Sequence, residues 1–484
     1  MISNNVQLPP EEFLREYVKQ VEEGGAALLV GAGLSRAAGY KDWKQLLGDC
    51  AQRLRLDLGR EQDLVAVAQY YVNVNNSRAE LNSLVRSEYR KRKSLTENHR
   101  IIGRLPVGTI WTTNYDTLLE RAYEEAGRGL DVKSRDEDLT QPTPERDVTL
   151  YKMHGDISRP DQVIITRGDY ERYRREHTLF QQALERDLVD KTFLFLGFSF
   201  TDPNFIYTLG HLRSLLTASG RRHYAVIREI ARSDYPAGTA GDDDYNYDRN
   251  RQYLQTGDLQ RYDIHTVLVE RYEEVTDLLK EVERRIHAAN IFVSGTAHTL
   301  GAFGESRLKE FCERLGGRLI EEGFNITSGF GSNIGGPLLV GALAKLYEKV
   351  NPPINKRLTV RPLPHADGIV NQAFDTKTRE ELISKCGFSI FISGNSGSQP
   401  DGSPGMMEEY EITRRLGRIP IPVGATGFTA EKLWGVVEPD MDAVYAGKVS
   451  KELYCRLNDP AVGNNELLQA VFEIIYAVIA YTKT

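Results

Sequence analysis

The sequence predicts an α/β protein built as two open parallel sheets in succession, and three observations carry that reading. The apolar run Ala26 to Val30 is too short for a helix; it leads into V-G-A-G-L-S at 30–35 and then an amphipathic segment bearing Trp43, Leu46, Leu47 and Leu54. That is the pattern of a strand, a tight turn and a helix. Further apolar strands in the first half end in clusters of polar side chains, the edge where open α/β sheets gather ligand-binding groups. The strand-turn-helix opening then starts again at N-I-F-V-S-G, Asn290 to Gly295. Residues 1–288 and 289–484 are therefore expected to be separate domains, the second smaller.

Taken in order, Gly31 and Gly33 flank Ala32 at a helix start, where the lack of a Cβ lets backbone N–H groups approach a pyrophosphate; the same triplet also occurs in plain βα turns. Glu61 to Lys93 carries Leu64, Val65, Val67, Ala68, Leu81 and Leu84 around the polar patch Asn73 to Ser77, which suits either a lid or two ordinary packing helices. The next strand ends in T-I-W-T-T-N-Y-D, 109–116, with a helix from Thr117. Thr112, Thr113, Asn114 and Asp116 crowd its carboxyl end, either facing a ligand or, for Asn114 and Asp116, capping that helix. Val148 to Met153 ends in His154-Gly155-Asp156, an imidazole suited to proton transfer, although a lone histidine is more often structural. Phe193 to Leu196 opens through Gly197 and Ser199 to Asp202 and Pro203, an acidic cap before a proline at the first helical position. Ala237 to Asp248 lacks apolar periodicity and is expected to be a solvated loop; its Asp242 to Asp244 run lacks the register of a calcium loop. A helix from Glu273 to His287 closes the domain.

In the second half a helix is expected at Glu305 to Ile320, and strands at Phe324 to Ser328, Arg357 to Val360, Phe388 to Ser393 and Ile419 to Val423. Gly329 to Gly336, G-F-G-S-N-I-G-G, suits phosphate held by backbone N–H groups. Ser393 to Ile412 is a Gly/Ser/Pro-rich stretch running into a helix with Glu408 and Glu409, either a ligand loop or an acidic helix start.

A net charge of −7 from 61 basic and 68 acidic residues gives no basic surface by composition, so nucleic acid is not an expected partner. Met1 to Pro10 has no apolar core of a signal peptide, and the most apolar helix candidate, Leu467 to Ala480, is short for a membrane span and contains Glu473. The four cysteines, Cys50, Cys312, Cys386 and Cys455, form no C-x-x-C pair, and the nine histidines no H-E-x-x-H. A bound metal is not expected, and a reduced, cytoplasmic compartment is.

G-A-G-L-S at 31–35, T-N-Y-D at 113–116, the H-G of 154–155 and the G-F-S of 197–199 resemble the four ordered signatures of the sirtuin, or Sir2, domain. The resemblance implies a Rossmann-like domain that binds NAD and breaks its nicotinamide glycosidic bond. It implies Asn114 and His154 as the catalytic pair, Asp116 organising the ribose site, and Gly31, Ala32, Gly33, Ser35, Thr113, Gly197 and Ser199 around the NAD. Sirtuin deacylases carry a four-cysteine zinc module that this chain lacks, and Tyr40, Lys41, Asp42 and Trp43 replace the proline, aspartate and arginine that follow their glycine loop. The domain resembles instead the Sir2 domains of bacterial anti-phage effectors, which hydrolyse NAD.

The second half resembles the SLOG family, a Rossmann-like fold related to nucleotide-processing enzymes with a P-G-G-x-G-T-x-x-E motif. Only Pro404, Gly405 and Glu409 can be laid on that motif, which points to ligand sensing. The tandem resembles the Thoeris anti-phage effectors. That implies an activator, a cyclic ADP-ribose isomer made by a TIR-domain partner, and a homo-oligomer, a tetramer through the Sir2 domains. For the effector pocket the expected residues are Ser294, Gly295, Gly329, Gly331, Arg379 and Glu409. A planar guanidinium at Arg379 would grip a phosphate bidentately, with Arg361 as the substitute. A non-catalytic NAD-sensing scaffold and a deacylase or ADP-ribosyltransferase remain the alternatives to NAD hydrolysis.

Overall fold

The computed structural model describes residues 8–480 apart from 62, 216–219, 349, 351, 364–371 and 397–401. Most of the polar N-terminus and the middle of the Ser393 to Ile412 stretch lie outside the described residues. The chain divides into two compact units, Met1–Glu283 and Arg284–Thr484, the division falling within the helix Glu273–Ala288.

The first unit is a seven-stranded sheet in which every pair is parallel. Its strands are β1 (Ala26–Val30), β2 (Thr109–Thr112), β3 (Leu130–Lys133), β4 (Val148–Lys152), β5 (Thr192–Leu196), β6 (His223–Arg228) and β7 (Ile264–Val269). They lie in the order β3-β4-β2-β1-β5-β6-β7. The continuous apolar run of β1 is buried along its whole length, as a central strand covered on both faces requires. After β1 the chain builds outward on one side through β2 to β4, then returns to place β5 on the other, so the order reverses between β1 and β5. Val30 pairs with both Thr112 and Leu196, and Thr112 with Lys152, so β4, β2, β1 and β5 end level with one another. Four loops therefore leave the sheet along one edge at the topological switch point, the position at which such sheets bind ligands.

Two expectations for this unit change, one pair of alternatives is resolved, and three strands, β3, β6 and β7, stand where none was expected. The amphipathic segment after the glycine turn is not one helix but three, Ala32–Ala37, Trp43–Leu46 and Gly48–Arg53. Gly39 turns the chain at φ +94°, and Asp42 restarts the helix with a capping box to Gln45. The two helices Leu64–Asn75 and Ala79–Tyr89 bury Ala68, Tyr71, Leu81, Val85 and Tyr89 against Leu46, Leu47, Tyr115 and Val163, so they are packing helices of a core. The acidic stretch expected as a loop lies in the helix Thr239–Leu259. That helix is polar almost all round, with Gly241, Thr256 and Leu259 as its buried residues, which is why no apolar period announces it. Arg232 pairs with Asp242 at 2.5 Å and Tyr235 donates to Asp248 at 2.7 Å.

The second unit is a five-stranded parallel sheet of β8 (Asn290–Thr296), β9 (Asn325–Ser328), β10 (Leu358–Val360), β11 (Phe388–Ser393) and β12 (Ile419–Val423), in the order β10-β9-β8-β11-β12. Its order reverses at β8, between β9 and β11. Ile291, Val293, Ile326, Ile390, Ile392 and Ile421 of the sheet pack with Leu308, Phe311, Leu315 and Leu319 of the helix Glu305–Glu321. Leu467, Val471, Phe472 and Ile475 of the helix Asn464–Ala480 join the same core, so this apolar helix packs within this unit. Among the described residues no helix is long and apolar enough to cross a membrane. The four cysteines are free, with Cys50, Cys312 and Cys386 buried and Cys455 exposed.

Candidate functional site

The level strand ends of the first unit bring the G-A-G turn, the T-N-Y-D loop, the H-G-D loop and the G-F-S loop to one edge. At the switch point the Gly31 N–H donates to Leu196 O and the Gly33 N–H to Gly197 O, both at 2.9 Å. A Cβ on Gly31 would stand 2.5 Å from Gly197 O, and one on Gly33 2.8 Å from Gly197 Cα. The contact of two loop backbones thus requires these glycines by itself. Gly197 itself turns at φ +61°. Ala32, Gly33, Gly197 and Ser199 are exposed along this edge and Thr113 is half-buried; the Ser199 and Thr201 hydroxyls bond at 2.8 Å.

Asn114 is buried, and its orientation follows from donor and acceptor logic. The Asn114 amide Nδ2 donates to Gly31 O at 3.0 Å and to Ser35 Oγ at 2.9 Å. Ser35 donates in turn to Asp116 Oδ2 at 2.6 Å. A carbonyl and a carboxylate only accept, so each hydrogen in this chain has one possible direction and the Asn114 oxygen must point away. That Oδ1 is buried and makes no hydrogen bond among the described residues. An uncompensated buried acceptor costs about 1–3 kcal/mol, which a donor brought by a water or ligand would recover. Asn114 does not cap the following helix Leu118–Glu125; Asp116 does part of that, accepting from the Leu118 N–H at 2.9 Å through Oδ1. With both oxygens bonded, Asp116 sits behind Asn114 and Ser35 and aligns them.

His154 is 3% exposed, and its Nε2 lies 3.1 Å from Asp202 Oδ2. The approach is short but bent off the hydrogen-bond line. Burial raises the Asp202 carboxyl, yet His154, the Phe205 N–H and the Tyr170 hydroxyl together hold it below its ordinary value. Sequence reasoning saw Asp202 only as a cap.

It missed Lys152 altogether. This last residue of β4 is fully buried, and its ammonium donates to Asp116 O at 2.6 Å, Tyr115 O at 3.3 Å, Glu120 Oε1 at 2.7 Å and the Asp156 carboxylate. It ties the loop carrying Asn114 to the loop carrying His154. Burial draws a lysine down, but the Glu120 and Asp156 carboxylates push Lys152 above its ordinary value. A lysine closing an otherwise apolar strand was the signal that could have revealed it.

In the second unit Ser294, at the end of β8, donates to the Glu409 carboxylate. Arg379 donates to Glu408 Oε2 at 2.7 Å and brings Nε to 3.4 Å from Glu409 Oε1, while Thr376 donates to Glu408. Glu408 and Glu409 thus face Arg379 across two helices, Gln372–Ser384 and Pro404–Arg415, rather than serving only as an acidic helix start. Burial pushes the Glu409 carboxyl above its ordinary value against the opposing pull of Ser294 and Arg379. A Cβ on Gly331 would stand 1.9 Å from Gly295 O, so these two glycines are a backbone contact; Gly329 faces open space. Arg361 is not part of this group: it pairs with Glu381 at 3.2 Å on the exposed surface. Among the described residues no group of three or more His, Cys, Asp or Glu is placed to hold a metal.

Comparison with known proteins bears on both units. Residues 108–248 match the SIR2-like domain family, and residues 274–478 match STALD, the Sir2- and TIR-associating SLOG family. The NAD(+) hydrolase ThsA of Acinetobacter baumannii (strain 532279) is 39% identical over 470 residues, which cover 95% of this chain and 97% of that protein. The NAD(+) hydrolase ThsA of Bacillus cereus (strain MSX-D12) is 37% identical over 470 residues, 96% of this chain and 98% of its own. Defense-associated sirtuin 2 of Bacillus subtilis is 25% identical over 222 residues, 44% of this chain and 21% of that protein.

Proposed function

This chain belongs to the family of the NAD(+) hydrolase ThsA, and from that premise we propose that its first unit cleaves NAD(+) at the edge shared by Asn114 and His154. The C1′–N bond to nicotinamide breaks with its electron pair going to the ring nitrogen, and a water oxygen forms the new bond at C1′. Nicotinamide leaves as a neutral molecule, so what the site must supply is a positioned water, stabilisation of positive charge on the ribose, and an acceptor for the water's proton. The observation that carries this reading is the buried, unbonded Oδ1 of Asn114, an acceptor fixed in direction by Gly31, Ser35 and Asp116. It suits the water or a ribose hydroxyl, and His154 suits the proton. The products are ADP-ribose, nicotinamide and a proton released to solvent.

The second unit is the sensor in this proposal, binding a cyclic ADP-ribose isomer made by a TIR-domain protein, and depletion of NAD(+) in anti-phage defence follows. The reading is supported by the match to a Sir2- and TIR-associating family and by the Ser294, Glu409 and Arg379 group at the β8 edge. Because Arg379 is held by Glu408 and Glu409, an incoming phosphate must replace carboxylates on the guanidinium, which makes the group an exchange of ion pairs. To turn the enzyme from mostly off to mostly on, the ligand must favour the active arrangement by about 10⁴-fold, or roughly 5.5 kcal/mol, a scale that several linked pockets of an oligomer reach together. Purified protein incubated with NAD(+), with and without the cyclic nucleotide, tests both parts. Free ADP-ribose and nicotinamide in the activated sample are expected. No turnover under either condition would leave a binding scaffold, and a product that depends on an added acceptor would leave a transferase or deacylase.

A further inference from the structure

Asp202 does more than a helix cap needs. It precedes the helix Pro203–Leu215, and Oδ1 accepts from the Phe205 N–H at 2.8 Å, which is the capping bond. A serine or asparagine would cap as well, so the second oxygen of a carboxylate only 8% exposed calls for its own reason. That oxygen, Oδ2, accepts from the Tyr170 hydroxyl at 3.0 Å and stands 3.1 Å from His154 Nε2. Around the imidazole, Tyr170 and Tyr173 present ring edges with centroids at 5.6 and 6.4 Å, so Asp202 is the carboxylate in contact with His154 among the described residues.

We infer that Asp202 is a positioning residue for His154, fixing its tautomer and holding its ring for proton transfer. A carboxylate oxygen only accepts, so the nitrogen facing it carries the hydrogen, and Nδ1 is left as the nitrogen with a free lone pair. When Nδ1 takes the proton of the attacking water, the Asp202 charge lies against the imidazolium that forms, and the proton then leaves from Nδ1 to solvent. Charging the ring strengthens and straightens the bond to the carboxylate. The inference rests on His154 being the proton acceptor of NAD(+) hydrolysis.

Asp202→Asn is the direct test, because Asn retains a capping oxygen while presenting an N–H group to Nε2. The expected result is a fall in kcat of about 10²-fold or more, with KM and the thermal midpoint near those of the parent, and partial recovery in Asp202→Glu. A merely structural role would lower the midpoint and leave kcat per folded enzyme unchanged. Turnover within threefold of an active parent overturns the inference. Should Asp202→Asn fail to fold, ¹⁵N-imidazole NMR of the full-length Asn114→Ala protein reads the tautomer with Asp202 in place: Nε2–H for His154 is expected, and Nδ1–H refutes it. A parent protein that releases no nicotinamide refutes the hydrolase reading instead, and the tautomer still decides the pairing.

Discussion

The two units use the same scaffold in opposite ways. Each has a parallel sheet whose strand order reverses at a central strand, and each packs a glycine turn against a neighbouring loop at that reversal. At the edge of the first, polar groups form a directed chain from Asp116 through Ser35 to Asn114, underpinned by the fully buried Lys152. It ends in one acceptor that takes no hydrogen bond among the described residues. At the edge of the second, the charge of Arg379 is divided between two carboxylates, Glu408 and Glu409, which in our proposal a phosphate displaces. A fixed network that presents one unbonded atom suits a reaction; an exchangeable ion-pair group suits recognition and switching.

The contrast breaks most readily at Lys152. Lys152→Met should cost about 3–5 kcal/mol, because Glu120 and Asp156 are left as buried charges without their partner. Arg379→Ala should leave the second unit folded. Urea unfolding of both full-length variants reads the difference, and equal losses would mean that the two groups are equally structural. Next in size, Asn114→Ala or His154→Ala should lower nicotinamide release by about 10²–10³-fold, roughly 3–4 kcal/mol, with thermal unfolding little changed. Parent-like turnover in either removes that residue from the chemistry.

Arg379→Ala should weaken binding of the cyclic ADP-ribose isomer by about 30–100-fold and abolish activation, as loss of a charged hydrogen bond of about 2–3 kcal/mol implies. Asn114→Ala should bind it like the parent and stay silent, and Arg361→Ala should resemble the parent throughout. Calorimetry beside an NAD(+) assay separates the three. Tight binding by Arg379→Ala would show that the exchange of ion pairs is not how the ligand is recognised.

A smaller difference concerns acid. Burial lowers His99 to about 4 and His223 to about 3, both in the first unit. Each is therefore neutral in the folded protein while the unfolded chain takes up protons near 6.5. The stability they allow is intact above that value and is lost progressively as pH falls toward 4 and 3. At pH 5.5 the loss is about 1.4 kcal/mol apiece, and His223→Asn should flatten the pH dependence of unfolding between 6.5 and 5. A slope unchanged by the substitution would place the protons elsewhere. Exhaustive chelation, the smallest expected effect, should change neither unit's unfolding nor NAD(+) turnover, and activity that returned only with added zinc or calcium would contradict this.

Much of this molecule could be read from one dimension. An apolar run that stops in a polar cluster reports burial and its end locally, so β1, β11 and β12 match their expected ends and Asn114 and His154 stand out. Where burial leaves no local period the reading failed: β3 hides a buried Lys133–Asp131 pair at 2.8 Å, and the polar helix Thr239–Leu259 passes for a loop. The amino-acid order by itself thus determined that there are two sheets, the strands β1, β2, β4 and β5 of the first and all five of the second, and their glycine turns, while β3, β6 and β7 went unread. Only the tertiary structure decided what those residues do to one another. Level strand ends join Ser35 to Asp116, Lys152 to Glu120, and His154 to Asp202, and helix packing joins Arg379 to Glu408. Each pair is separated by tens of residues, and its contact exists only because parallel register and helix packing bring two distant side chains within about 3 Å, a geometry that no local periodicity encodes.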